Sequence, residues 1–162
     1  MNKKFQSYFE SNGMTVSGNK AYGVVKGYET NANIATTVNS VEFPYKWFIS
    51  FFATTDQKAQ MEAGLRSAAI KNFKFTMTDC GLILSMTDFT VGRLVDRLPS
   101  VFDTVYGIIE SNGGKGDGYC PFCGEPLEPV EVGLFGKPFT IFKGCTCERA
   151  VEEARRREAE EE

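Results

Sequence analysis

The sequence predicts an α+β fold, on three observations. Short stretches of helical period and short alternating strands are interleaved in the order α-β-β-β-α-β-β-α. Most strands are joined by turns too short for a crossover, so they are expected to pair antiparallel. The C-terminal third carries two close cysteine pairs on either side of a further hairpin. The 162 residues are 42% hydrophobic and include 14 Phe, 6 Tyr and 1 Trp, enough apolar material for a real core.

The elements follow from local pattern. Phe5, Tyr8 and Phe9 at i, i+3 and i+4 give a short amphipathic helix, stopped by Asn12-Gly13. Residues 20–28 read as a strand containing Gly23 and Gly27. A turn at 29–31 leads to a polar second strand at 33–39. Residues 45–53 are the strongest strand: Tyr45, Trp47, Ile49 and Phe51 face one way, Phe48 and Phe52 the other, so both faces are expected to be at least partly covered. Residues 54–71 read as a helix opened by a Thr54/Gln57 capping box, with Met61, Leu65, Ala68 and Ala69 as its buried stripe. Phe73, Phe75 and Met77 alternate, Asp79-Cys80-Gly81 turns, and Leu82, Leu84 and Met86 return. A long helix over 90–111 carries an apolar stripe from Val91 to Ile109, and Pro99 inside it is expected to kink or split it. The helices would pack on one face of the sheet. This element order is similar to that of secretion-chaperone-like folds, small α+β proteins that dimerise and bind partner chains; the likeness implies a fold and is only a weak hint of function.

Composition divides the chain. Residues 111–118, SNGGKGDG, read as a flexible linker. The expected organisation is an α+β domain over 1–111, a Gly-rich linker at 112–118, a cysteine module at 119–147 and a charged helical tail at 148–162. In the tail, Ala150, Val151 and Ala154 form a weak apolar stripe, as in a solvated helix or the start of a spacer. The abrupt Glu-Glu-Glu end fits a fragment of a longer protein.

The cysteine module opens with Cys120-Pro121-Phe122-Cys123-Gly124. Two cysteines three apart reach one ion from a single tight turn. Pro121 stiffens that turn, and Gly124 permits the positive φ that points backbone N–H groups at the sulfurs. Strands at 130–135 and 138–143 join at Gly136-Lys137, and Cys145-Thr146-Cys147 closes the unit. Two cysteine turns joined through a hairpin is the plan of a zinc ribbon, and the module resembles ribbons of the CPxCG type. Cys120, Cys123, Cys145 and Cys147 are therefore the candidate ligands of one structural Zn²⁺. The second pair, Cys-x-Cys, departs from the commoner Cys-x-x-Cys. A thiol redox site is the competing reading, because Cys-Pro-Phe-Cys also looks like a glutaredoxin-type motif; such a site needs a helix after it, and Gly124-Glu125-Pro126 starts none. A disulfide pair is a further alternative. Of the module's aromatics, Phe122, Phe135, Phe139 and Phe142, some should fill a miniature core and others dock on the body rather than stack on bases.

Charge and residue types narrow the function. The net charge is −3, and residues 148–162, with seven Glu and four Arg, account for all of it. The sequence shows no basic stripe, so no nucleic acid is expected as a partner. The chain has no His, which removes Ser-His-Asp and Cys-His nucleophile systems and most catalytic zinc centres. Lysine- or carboxylate-based chemistry stays open, but a non-enzymatic protein is the expectation. Cys80, in a turn beside Asp79, reads as incidental. Asp88, Asp96 and Asp103 read as a solvated helix face. The glycines at 113, 114, 116 and 118 lack the Lys-Ser/Thr ending of a phosphate loop. Residues 1–13 are amphipathic rather than a signal peptide, no apolar run is long enough to cross a membrane, and clustered cysteines suit a reducing compartment, so a cytoplasmic location is expected.

Four stretches carry a family resemblance: YGVVKGYE at 22–29, ISFFATTDQK at 49–58, FTVGRLVDRLP at 89–99 and CPFCGEPL at 120–127. Residues 1–147 resemble the soluble N-terminal region of a family of uncharacterised bacterial proteins, mostly from Gram-positive anaerobes. The resemblance implies a cytoplasmic domain, often tethered to a membrane by helices that follow the cysteine module, with no assigned activity. It supports Cys120 and Cys123 more than Cys145 and Cys147. The combined expectation is a zinc-containing adaptor that binds another protein or a second copy of itself. A nucleic-acid-binding zinc ribbon is the alternative, and a Cys-x-x-Cys redox protein a third.

Overall fold

The apolar period at Phe5, Tyr8 and Phe9 forms α1 (Lys3–Ser11), closed by Gly13 at φ 79° with the Gly13 and Met14 N–H groups bonded back to Glu10 and Phe9. The computed structural model describes residues 3–34, 45–88, 91–134 and 136–161. After α1 come β1 (Thr15–Ser17), β2 (Lys20–Val25), β3 (Tyr28–Ile34) and β4 (Tyr45–Ser50). Then follow α2 (Thr55–Ser67), β5 (Phe73–Thr78), β6 (Gly81–Met86) and α3 (Val91–Ser111). The C-terminal part adds β7 (Pro129–Leu134), β8 (Lys137–Phe142) and α4 (Glu148–Glu161). The fold is α+β: one six-stranded antiparallel sheet, ordered β1-β2-β3-β4-β6-β5, and a separate β7–β8 hairpin.

One face of the sheet is buried. Ala21, Val25, Tyr28, Ala32, Trp47, Ile49, Leu82, Leu84 and Met86 point into a core completed by Phe5 and Phe9 of α1, Met61 and Leu65 of α2, and the stripe Leu94, Leu98, Val101, Phe102, Val105 and Ile109 of α3. An aromatic column ties helix to sheet. Trp47 stacks on Phe102 at 5.0 Å, and Phe102 on Tyr106 at 5.5 Å. The buried Tyr106 hydroxyl meets Thr30 Oγ1 at 2.5 Å, and Thr30 also bonds the Tyr28 carbonyl, so this polar pair is satisfied inside the core. Gly64 lets α3 come close to α2, with Ile108 against it.

Several local expectations are corrected. A short strand, β1, precedes those expected. The first hairpin turns at Lys26-Gly27, not at 29–31; both residues have positive φ, 52° and 85°, as a two-residue turn requires, and Glu29 to Asn31 belong to β3. Residues 35–39 of the expected second strand lie outside the described residues. The strand expected to run to 53 stops at Ser50, although Phe51 and Ala53 are buried. The Thr54/Gln57 capping box forms as expected, but α2 ends at Ser67, and Ala68 and Ala69 are exposed because Ala69 turns left-handed at φ 50°. Pro99 does not split α3; it sits on the exposed side of a continuous helix. Residues 112–118 are not a free linker. Lys115 exchanges two 2.8 Å backbone bonds with Phe52, Asp117 N–H bonds the Gly27 carbonyl, and the Tyr28 hydroxyl bonds the Gly114 carbonyl. Gly116 is needed there, since a Cβ would strike the Gly27 carbonyl.

Candidate metal centre

The first cysteine pair sits on a compact turn. Gly124 N–H bonds the Cys120 carbonyl and Cys120 N–H bonds the Glu125 carbonyl, both at 2.9 Å, and Gly124 adopts φ 75° to close the loop. The Phe122 N–H points at Cys120 Sγ, 3.4 Å away. A bridge between Tyr119 and Pro126 and a bond from Leu127 N–H to Gly118 seal the base of the turn.

The second pair enters along β8 and leaves into α4. Cys147 N–H points at Cys145 Sγ at 3.5 Å, an arrangement that Cys-x-Cys spacing allows within a single turn. The Cys147 carbonyl accepts the first bond of α4, from Val151 N–H, so a candidate ligand is also the N-cap of the tail helix.

All four expected sulfurs are brought together. Those of Cys120, Cys123, Cys145 and Cys147 lie within 4.8 Å of one another, with Cys120–Cys147 at 3.8 Å and Cys123–Cys145 at 3.6 Å. A disulfide needs about 2.0 Å. Four thiolates about 2.3 Å from a tetrahedral ion stand about 3.8 Å apart. The two closest pairs match that spacing, so the cluster is compatible with a bound metal ion.

The electrostatics agree. At Cys145 the Cys147 N–H, with the Cys123 thiol beside it, lowers the pKa. At Cys123 the Glu125 N–H favours the thiolate, but desolvation and the three neighbouring cysteines outweigh it and push the thiol up to about 12. At Cys147 the Ala150 N–H is likewise outweighed, by burial and by Cys145 and Cys120, and the pKa is raised. Four sulfurs this close cannot all carry negative charge unaided. A bound cation would remove that conflict.

The unit is docked on the body. Gly124 lies flush against Phe52: a Cβ there would be 2.6 Å from the ring. Two residues not anticipated from sequence hold the junction. Lys115 reaches the Gly124 carbonyl and lies over the Tyr119 ring. Arg149 pairs with Asp79 at 2.7 Å and lies over Phe122 at 5.5 Å. Arg149 has no local sequence signal, because Asp79 and Phe122 are distant in the chain. Phe122 faces Phe48 across a cleft of about 520 Å³ between the sheet and α4, and Phe142 packs by Gly118. Phe139 is exposed, and Phe135 lies outside the described residues.

The remaining candidates stay apart. Cys80 is half-buried in the β5–β6 turn and is not one of the clustered thiols. Asp88 pairs with Arg97 and Asp103 with Lys26, so these carboxylates serve different partners. No helix among the described residues is long and apolar enough to cross a membrane.

Fold and site together define an α+β chain with a four-cysteine cluster near its C-terminal end. No protein-family model, curated protein or solved structure matches it.

Proposed function

We propose that Cys120, Cys123, Cys145 and Cys147 hold one structural zinc ion, and that the chain is a non-enzymatic protein-interaction module of the adaptor type. The observation that carries the zinc reading is the sulfur geometry, with spacings of 3.6 and 3.8 Å and N–H groups directed at Cys120 and Cys145. Sulfur-only, four-coordinate sites suit zinc in a structural role. The redox alternative has less support: the chain after Cys123 runs into an extended bridge at Pro126 rather than a helix, so Cys123 lacks the setting that activates a Cys-x-x-Cys thiol. With zinc bound, the cysteine turns, the hairpin and the start of α4 form one rigid unit against Phe52 and Asp79.

The test is metal analysis of chain purified without chelators, with thiols counted before and after zinc removal. One zinc per chain is expected, with four thiols protected until it is withdrawn. Substoichiometric zinc together with a reversible Cys120–Cys123 disulfide would replace this reading with the redox one.

A further inference from the structure

The strand registers place on the open face of the sheet a pattern that is scattered in the sequence. Lys20, Asn33, Lys46, Ser85 and Lys74 are successive cross-strand partners, which makes one row with three lysines. The next row on the same face is Tyr22, Asn31, Phe48, Ile83 and Thr76. Tyr22 is 51% exposed, Ile83 41% and the adjoining Val24 48%, a concentration of apolar surface of the kind that marks binding sites. A cavity of about 420 Å³ lies over the second row, with Lys20 and Lys46 on its rim. Neither of these two lysines has an ion-pair partner among the described residues.

We propose that this face binds an amphipathic helix of a partner protein, apolar side down on Tyr22, Phe48 and Ile83, with an acidic flank over Lys20 and Lys46. The inference rests on the reading of the chain as a protein-interaction module and names its binding face. The dimensions suit a helix. From β2 to β6 the apolar row crosses three strand spacings, about 14 Å, which is about ten helical residues. The lysine row lies two residues further along the strands, about 7 Å away, within reach of the flank of a helix about 10–12 Å across. Apolar anchors at i, i+4 and i+7 would enter the cavity while the flank met the lysines.

Charge and surface shape decide between occupants. A nucleic-acid strand longer than the lysine row would meet the Glu29 carboxylate in the adjoining cleft under α4, where Glu153 is already paired with Arg156 and Arg157. Val24 and Ile83 are aliphatic and offer no stacking face, whereas Tyr22 does, so an oligothymidylate is among the comparisons below. The chain's own acidic helix stands over that adjoining cleft, with Ala150 and Ala154 on its wall, and Arg149 of its first turn is paired with Asp79.

The experiment is fluorescence anisotropy at physiological ionic strength, using zinc-loaded full chain. The probe is a labelled peptide of about 15 residues, with Leu or Phe at i, i+4, i+7 and i+11 and Glu along one flank. A scrambled peptide of the same composition, a Lys-for-Glu peptide and a labelled oligothymidylate are the comparisons. Saturable binding of the designed peptide is expected, at least about tenfold tighter than either control peptide. The Lys20→Glu/Lys46→Glu pair and Tyr22→Ser should each weaken it about tenfold, and Lys3→Glu on α1 should not. Thermal melts check that each variant is folded. No binding, equal binding of the scrambled peptide, or peptide binding that ignores both sheet-face variants overturns the assignment of this face; the last result leaves the module reading intact. Lysine-dependent binding of the oligothymidylate in preference to the peptide overturns the module reading as well.

Discussion

Substituting Gly124 by Ala should detach the cysteine unit from the body without altering any sulfur. Gly124 is buried, has φ 75°, and would place a new Cβ 2.6 Å from the Phe52 ring. The left-handed backbone costs about 1–2 kcal/mol for a residue with a Cβ. Forcing the methyl against the ring adds about 1–3 kcal/mol of overpacking. The sum, about 2–5 kcal/mol, is a large share of the stability of an ordinary domain. At about 2–4 °C per kcal/mol, the melting temperature of the zinc-loaded chain should fall by about 4–20 °C. A double-mutant cycle with Phe52→Ala separates the two terms. Removing the ring should recover the overpacking part, so the two substitutions should be non-additive by about 1–3 kcal/mol. Additive effects would show that Gly124 is required for its φ alone and that the unit does not bear on Phe52.

Three further outcomes are expected. Zinc affinity should fall as pH falls, because each bound thiolate displaces a proton, and competition with a chromogenic chelator across pH measures it; Cys80 should react with a thiol reagent at a rate independent of zinc, read from labelling kinetics with and without the metal. Burial raises the pKa of Tyr106, against a smaller opposing effect of its bond to Thr30, and burial followed by the Asp103 charge raises that of Tyr8. Both phenols stay neutral in the folded chain where the unfolded chain ionises, so their contribution is complete below about pH 10 and is lost as pH rises beyond it; denaturant midpoints should decline there, and Tyr106→Phe should flatten the decline. Thr54→Ala removes one half of the capping box on α2 and should cost about 1 kcal/mol, read as a shift in the urea midpoint with an unchanged slope.

Elements with a strong period of their own could be read from the sequence. Phe5 and Phe9, the α3 stripe, the capping box and the β5–β6 hairpin stand where side-chain spacing puts them. The clustering of the four cysteines could be read too, because each turn carries its cysteine pair locally and the hairpin between them returns one to the other. What could not be read depended on neighbours distant in the chain. β1 is three residues long and exists by pairing with β2. The glycines of 112–118 look like flexibility in composition, yet Gly116 is small because the Gly27 carbonyl lies against it, and Gly114 because Ile109 does. Lys20, Lys46 and Lys74 form no stripe until the registers align them. A local signal cannot distinguish a glycine that frees the chain from one that admits a neighbour.

The pairing of Lys115 with Phe52 also bears on the order of assembly. Most of the sheet is built from hairpins between consecutive strands, and the β4–β6 pairing spans only α2 and β5, so these contacts close short loops and can form early. The Lys115–Phe52 and Asp117–Gly27 bonds close much longer ones, and the last sulfur enters later still in the chain. During synthesis every residue of the sheet and its three helices leaves the ribosome before Cys145 and Cys147, so these elements can fold first. Docking is then the capture of a late segment by a finished surface, and on the zinc proposal metal capture would be the step that fixes it. In hydrogen exchange the amides of Lys115 and Asp117 should open together, at lower free energy than those of β4 and β6.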